Sequence, residues 1–330
     1  MTYVGQRVVD FGEVYDLPGT LGVLQRGHAD PSLRVDEGGA WMCQRIYDSA
    51  GAELGSASYR FSQLSSSEVE VLVAADSAPA LQAALQRALP ILGAEDDWTE
   101  LELLLDALGD RISTTLAQVR RRRPGVRLPA TGALFDQLVT VTLEQKVTHD
   151  QARYSWRNLL RRHGQAPPSS PEVPAPPWMR LPLSPAQLKA VPSWEWHRLW
   201  VQPPLSRTVL RLAERAGSIH RLSSATPVET DEVAELAVRL RAIPGVGDWT
   251  AAEALQRSHG AADLPAVGDY HLAHFVGEAL TGRRTDDAGM LALLEPFRPH
   301  RQRVIRLLGL SGFRMSRYGP RLAPEDHRRR

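Results

Sequence analysis

The sequence predicts an α+β protein, with a small antiparallel-sheet domain at the amino end and a mainly helical body behind it. Three observations carry this. Residues 5–76 hold short runs of β-branched and aromatic residues separated by Gly, Ser and Asp, a strand-and-turn pattern. From residue 78 on, apolar residues recur three and four apart, as on one face of a helix. The charge also divides: residues 1–110 carry 6 Arg against 18 Asp and Glu, whereas residues 111–330 carry 33 Lys and Arg against 20 acids. A net −12 followed by +13 describes an acidic module joined to one suited to a polyanion.

In order along the chain, strands are expected around Val8, Leu33-Arg34-Val35, 41–47, 57–61 and 69–73, then a helix over 78–92. No catalytic constellation falls in this acidic unit, placed at 1–110, so packing is its expected role. Residues 98–119 read as helical and 120–129 as a basic turn. A long helical region is expected over 134–162, with Leu134, Leu138, Val141 and Val147 as its apolar contacts. Eight prolines between 166 and 185 imply an extended loop or linker. Trp194, Trp196 and Trp200 are expected in the core, and helices follow over 205–216, 231–241, 272–280 and 286–294. The terminal Arg328-Arg329-Arg330 is expected to be disordered.

A single cysteine, Cys43, excludes a disulfide framework and a Cys-ligated iron–sulfur cluster. No apolar run is long enough to span a bilayer and the amino terminus does not read as a signal peptide, so a cytoplasmic protein is expected. His271 and His274 lack further ligands at metal spacing, and no side-chain metal site is expected.

Residues 240–255, Leu-Arg-Ala-Ile-Pro-Gly-Val-Gly-Asp-Trp-Thr-Ala-Ala-Glu-Ala-Leu, read as a helix end, a glycine hairpin and a helix start. Pro244 stops the first helix and the glycines let the chain reverse. Amides around Gly245, Val246 and Gly247 would then lie bare at a helix N-terminus, which suits a phosphate, with Thr250 assisting. A lone Gly-x-Gly is more often an ordinary turn; what sharpens it is Asp269, twenty residues beyond Trp249. By position alone Asp269 reads as the N-cap of the next helix. A dinucleotide-binding reading fails because the motif follows a helix and no βαβ pattern surrounds it.

The hairpin, Asp269, the Arg-Pro-Gly-x-Arg-Leu-Pro run at 123–129 and the segment 143–148 together resemble the helix-hairpin-helix (HhH-GPD) DNA glycosylases, in the branch typified by bacterial 3-methyladenine DNA glycosylase II. The resemblance implies a helical body in two lobes, one of residues 134–267 and one of 111–133 plus 268–330. It implies that the hairpin grips DNA backbone and that Asp269 drives excision of a damaged, alkylated purine from duplex DNA. It further places Gln145 and Lys146 at the lesion and its wedge, and Trp249, Glu253, Tyr270 and His300 around the base pocket. No cofactor is implied beyond K⁺ or Na⁺ at hairpin carbonyls, and a monomer associated with the nucleoid is expected. Trp249 stands where strand-cutting relatives carry a lysine nucleophile, which predicts a monofunctional, water-using enzyme. Glu253, His300 and Lys146 replace the usual two aromatics and apolar wedge. Two alternatives remain open: a glycosylase for oxidised or mismatched bases, and a non-catalytic DNA-binding protein.

Overall fold

The computed structural model describes residues 1–226 and 230–315; the terminal arginines 328–330 lie outside them. Strands β1 (Tyr3–Asp10), β2 (Leu33–Asp36), β3 (Gly39–Tyr47), β4 (Glu53–Gln63) and β5 (Glu68–Ala75) form one antiparallel sheet in the order β1-β5-β4-β3-β2. A short helix α1 (Leu17–Leu21) sits in the β1–β2 connection, and α2 (Ala78–Ile91) crosses the sheet. Helix α2 buries Ala80, Ala84, Ala88 and Ile91, whose three- and four-residue spacing lines one face. Its alanines let the helix lie close on Tyr59, Phe61 and Val71, which are fully enclosed.

The body follows as α3 (Thr99–Leu108), α4 (Arg111–Arg122), α5 (Leu134–Thr142), α6 (His149–His163), α7 (Pro185–Ala190), α8 (Ser193–Arg198), α9 (Pro203–Glu214), α10 (Ala216–Ala225), α11 (Thr230–Leu240), α12 (Asp248–Ser258), α13 (Leu272–Thr281), α14 (Asp287–Leu294) and α15 (Arg301–Leu310). It has two apolar cores. One joins residues between Leu134 and Ala261, and the other joins Trp98, Leu101, Leu105 and Leu116 to Val276, Leu294 and Val304. The amino-terminal unit therefore ends before the break expected at residue 110: α3 turns Leu101 and Leu105 into the second core, not onto the sheet.

Three further departures have local causes. The region 98–119 is two helices because Gly109 takes a left-handed φ of 61° and ends α3, and Asp110 caps α4 through Ser113 N. The region 134–162 is also two helices, because Thr148 and Gln151 form a capping box that restarts the chain after a six-residue loop. The proline-rich segment is an ordered strap on the sheet: Arg180 N donates to Pro31 O (2.8 Å), Ser58 Oγ to Pro168 O (2.6 Å) and Arg45 Nε to Pro182 O (2.9 Å). Of the three tryptophans expected inside, only Trp196 is buried; Trp194 is exposed beneath the Arg198 guanidinium, and Trp200 stacks on Tyr154.

Between sheet and body, Asp136 lies in a small cavity with Arg45, Tyr47, Arg87 and His220. Burial raises its pKa to about 7 against the opposing pull of Arg45 and Arg87. Between that value and about 4, the folded chain holds a proton the unfolded chain has lost, so this group's contribution falls as pH rises from 4 to 7. Asp136→Asn is therefore expected to raise stability by roughly 2–4 kcal/mol at pH 8 and by nothing at pH 4, read from urea midpoints. Equal changes at both pH values would refute it.

Candidate active site

The chain between α11 and α12 is a hairpin whose apolar residues point in and whose glycines face out. Ile243 and Val246 are buried in the first core, while Pro244, Gly245 and Gly247 are exposed. Gly245 has a φ of 99°, and a Cβ there would lie 2.1 Å from Thr208 Oγ1. Both conformation and space demand glycine. Gly247 differs: it is extended, and a Cβ would meet nothing within 4 Å. It is the N-cap of α12, with no side chain capping it.

Not every expected donor is free. Val246 N is spent on Ile243 O (2.9 Å), so the amides without an acceptor among the described residues are those of Gly245 and Gly247. Thr250 is 3% exposed and its hydroxyl accepts from Gln145 Nε2 (2.8 Å). It braces the hairpin from within; burial removes it from the expected phosphate-binding set. The same Gln145 nitrogen donates to Gly245 O (2.9 Å), so Gln145 ties the α5–α6 loop to the hairpin. Lys146 beside it is exposed and takes a φ of 54°, a left-handed conformation that costs a non-glycine residue about 1–2 kcal/mol.

Twenty residues beyond Trp249, the Asp269 carboxylate is held at both oxygens. Oδ1 accepts from His271 N and Leu272 N, each 2.8 Å, and Oδ2 accepts from the Trp249 indole N–H at 3.0 Å. Asp269 is not the expected N-cap of α13; that residue is His271, because the helix starts only at Leu272. The Asp269 side chain closes the turn that leads into α13, and the same carboxylate is pinned to the first turn of the hairpin's second helix. Asp269 is partly buried on a surface that also exposes Gly268.

Trp249 and Glu253 lie on one face of α12, but two other expected pocket residues do not join them. Tyr270 is 81% exposed, its ring edge-on to His271, because the helix it precedes points it outward. His300 is 2% exposed; it is the N-cap residue of α15, bound to Arg303 Nη1 (2.8 Å) with Glu100 at 3.3 Å. Burial, with Arg303 adding to it, holds His300 below the usual histidine pKa against the pull of Glu100 and Asp263.

The sequence reading did not single out the charges around Glu253. Glu253 pairs with Arg257 (2.7 Å), and Arg26 from the amino-terminal unit pairs with Glu144 (2.7 Å). Arg257 feels Glu253 and then Glu144, and Arg26 feels Arg257, so the four form one cluster. Only the four-residue spacing of Glu253 and Arg257 was visible in sequence.

On the hairpin, Gly245 O accepts from Gln145 Nε2 and Pro244 O from Arg211 Nη1 (3.4 Å).

Solved structures decide the fold. Over 93% of this chain and 98% of the other, it matches the 3-methyladenine DNA glycosylase of Archaeoglobus fulgidus at a TM-score of 0.71 and 13% identity. It matches the 8-oxoguanine glycosylase/lyase of Clostridium acetobutylicum at 0.64 and 10% identity, covering 94% and 99% of the two chains. MBOgg1 in complex with a low-affinity DNA ligand matches at 0.64 and 14%, covering 94% and 98%. The fold is that of the helix-hairpin-helix DNA glycosylases. No protein-family model and no curated protein sequence matches the chain. Within the glycosylase fold the α+β order and the helical body stand as the sequence predicted. Among the described residues, no helix is long and apolar enough to cross a membrane.

Proposed function

We propose that this chain is a monofunctional DNA glycosylase, which extrudes a damaged purine from duplex DNA and hydrolyses its N-glycosidic bond as a step of base excision repair. The observation that carries the reading is the bond from Trp249 to Asp269: it fixes a solvent-reachable carboxylate beside an exposed glycine hairpin. Departure of the base leaves positive charge on the sugar, and a fixed anion beside the anomeric carbon lowers that barrier. Reaching the bond requires the nucleotide to leave the stack. Meanwhile the Gly245 and Gly247 amides and the α12 dipole offer a seat for a backbone phosphate.

Trp249 offers no amine, and the chain's only lysines are Lys146 and Lys189, so water is the nucleophile. A lesion-bearing duplex is expected to yield free base and an intact abasic strand, which breaks only on later treatment with hot alkali. A protein–DNA adduct trapped by borohydride would assign a lysine nucleophile instead. Binding without release of any base would leave only a DNA-binding module.

A further inference from the structure

We propose that strand β1 is a docking edge for a second copy of this chain, the two β1 strands pairing antiparallel so that both sheets become one. The inference concerns the amino-terminal unit and is independent of the reading of the active site. It replaces the monomer that the resemblance implies.

Strand β1 ends the sheet on the side away from β2 and pairs with β5 alone. Its register runs unbroken from Tyr3 opposite Ala75 to Asp10 opposite Glu68, and the ladder continues as Phe11 N donates to Ser67 O (3.0 Å). Odd-numbered residues therefore bond inward, and Val4, Gln6, Val8 and Asp10 turn their N–H and C=O groups to the open side. No backbone group elsewhere among the described residues takes them up. Such an edge is a template for another strand, and proteins usually blunt it with a proline, a lysine, a bulge or a short strand. Over its eight residues β1 has none of these. The opposite edge, β2, has four residues, with Trp178 of the strap packed on its Arg34 (3.8 Å). The body meets the sheet through β3, by Gln44 Nε2 to Thr131 O (3.3 Å) and Arg45 Nε to Pro182 O (2.9 Å), so β1 is not part of that contact.

The order of side chains along β1 identifies the occupant. A two-fold axis at Gln6, perpendicular to the sheet, sets Val4 opposite Val8, Thr2 opposite Asp10 and Gln6 opposite its own copy. These are the residues whose backbone groups point outward, so hydrogen bonds and side chains match in one register. Val4 and Val8 are 39% and 49% exposed, and pairing them removes apolar surface from water. No like charges stand directly opposite. Sliding the strands by two residues one way opposes Arg7 to Arg7; sliding the other way parts the valines and sets Val8 against Thr2.

The other face of the edge is apolar as well. A Cβ at Gly5 would lie 2.8 Å from Leu85 Cδ1 and 3.1 Å from Leu81 Cδ1, so these two residues of α2 flank β1. Both are only partly buried on their own sheet. The two-fold brings the same pair from the second copy to the same face, beside them.

The test is sedimentation of the full chain over about a hundred-fold range of concentration, where the mean mass is expected to climb from one chain toward two. Residues 1–110 carry 6 Arg against 18 acids, so two copies repel at long range. Pairing is therefore expected to tighten about two-fold or more as salt is raised ten-fold, the reverse of DNA binding. Gln6→Pro removes a donor from the middle of the joint and none from the β1–β5 ladder, and Val8→Lys sets a charge against Val4. Each is expected to weaken pairing about ten-fold or more with the thermal midpoint of the wild-type monomer retained. Without relying on those variants, Gln6→Cys chains should be joined by a short bismaleimide, since the two Cα atoms would stand about 5.5 Å apart, and Leu103→Cys chains, exposed on α3, should not. One-chain mass at every concentration, pairing that neither substitution weakens, or failure of Gln6→Cys to be joined overturns the proposal; the first of these would leave the edge to an extended segment of another protein.

Discussion

Asp269→Asn is expected to cut base release by on the order of 10²–10³-fold or more, while affinity for undamaged duplex stays within about two-fold. The asymmetry follows from what the carboxylate does. In the proposed mechanism its charge acts only when the sugar becomes cationic, whereas the duplex would be held by the hairpin amides and basic side chains. Asparagine keeps one carbonyl oxygen to accept from His271 N and Leu272 N, so the turn leading into α13 is retained. It then turns an amide nitrogen toward the Trp249 indole N–H, a donor facing a donor, at a cost of about 1–2 kcal/mol. A modest drop in thermal midpoint with near-complete loss of turnover is therefore the expected pattern. Full activity in a folded Asp269→Asn protein would remove Asp269 from the chemistry.

The two hairpin glycines are expected to separate stability from binding. Gly245→Val places a branched side chain at a φ of 99° and against Thr208 Oγ1, 2.1 Å from where its Cβ must go. The backbone term and the overpacking together cost about 3–5 kcal/mol. Gly247→Val meets open space and an extended backbone, so it is expected to fold and to lose only the roughly 1 kcal/mol by which glycine exceeds valine at an N-cap. Its side chain projects where a phosphate would approach the first turn of α12, and duplex affinity should fall about ten-fold or more. The check is a urea midpoint and a duplex titration on each variant. A Gly247→Val protein that binds as the wild type does would mean that the phosphate is not seated there.

The sheet was legible in the sequence because β-branched and aromatic residues alternate across it and turn residues bound each strand, so 33–35, 41–47, 57–61 and 69–73 all fall inside observed strands. The hairpin was legible because Pro and Gly act through backbone geometry, which needs no tertiary context. The loop at 143–148 was not, since it contains neither Gly nor Pro; its only mark is the Thr148–Gln151 capping box, overlooked inside an apolar periodicity. Helices α10 and α15 were missed for related reasons, α10 following α9 with only Arg215 between them.

At the site, the spacing of Trp249 and Asp269 could be read because both stand at the starts of helices that the sequence marks. The fates of Tyr270 and His300 could not, because which side of a helix start faces the cleft depends on how α13 and α15 dock on the second core. The charge cluster was still less accessible. Arg26 and Glu144 are 118 residues apart, and only the folded chain shows that Arg26 meets the same cluster as Glu253 and Arg257.

The most direct measurement is the affinity of the chain for a duplex in which one nucleotide is replaced by a cationic pyrrolidine analogue of the sugar that has lost its base. A carboxylate fixed at the anomeric position should bind that duplex about 10²-fold more tightly than an ordinary one, with the preference gone in Asp269→Asn. Equal affinity for the charged and ordinary duplexes in the wild type, or a preference that survives the substitution, would contradict it.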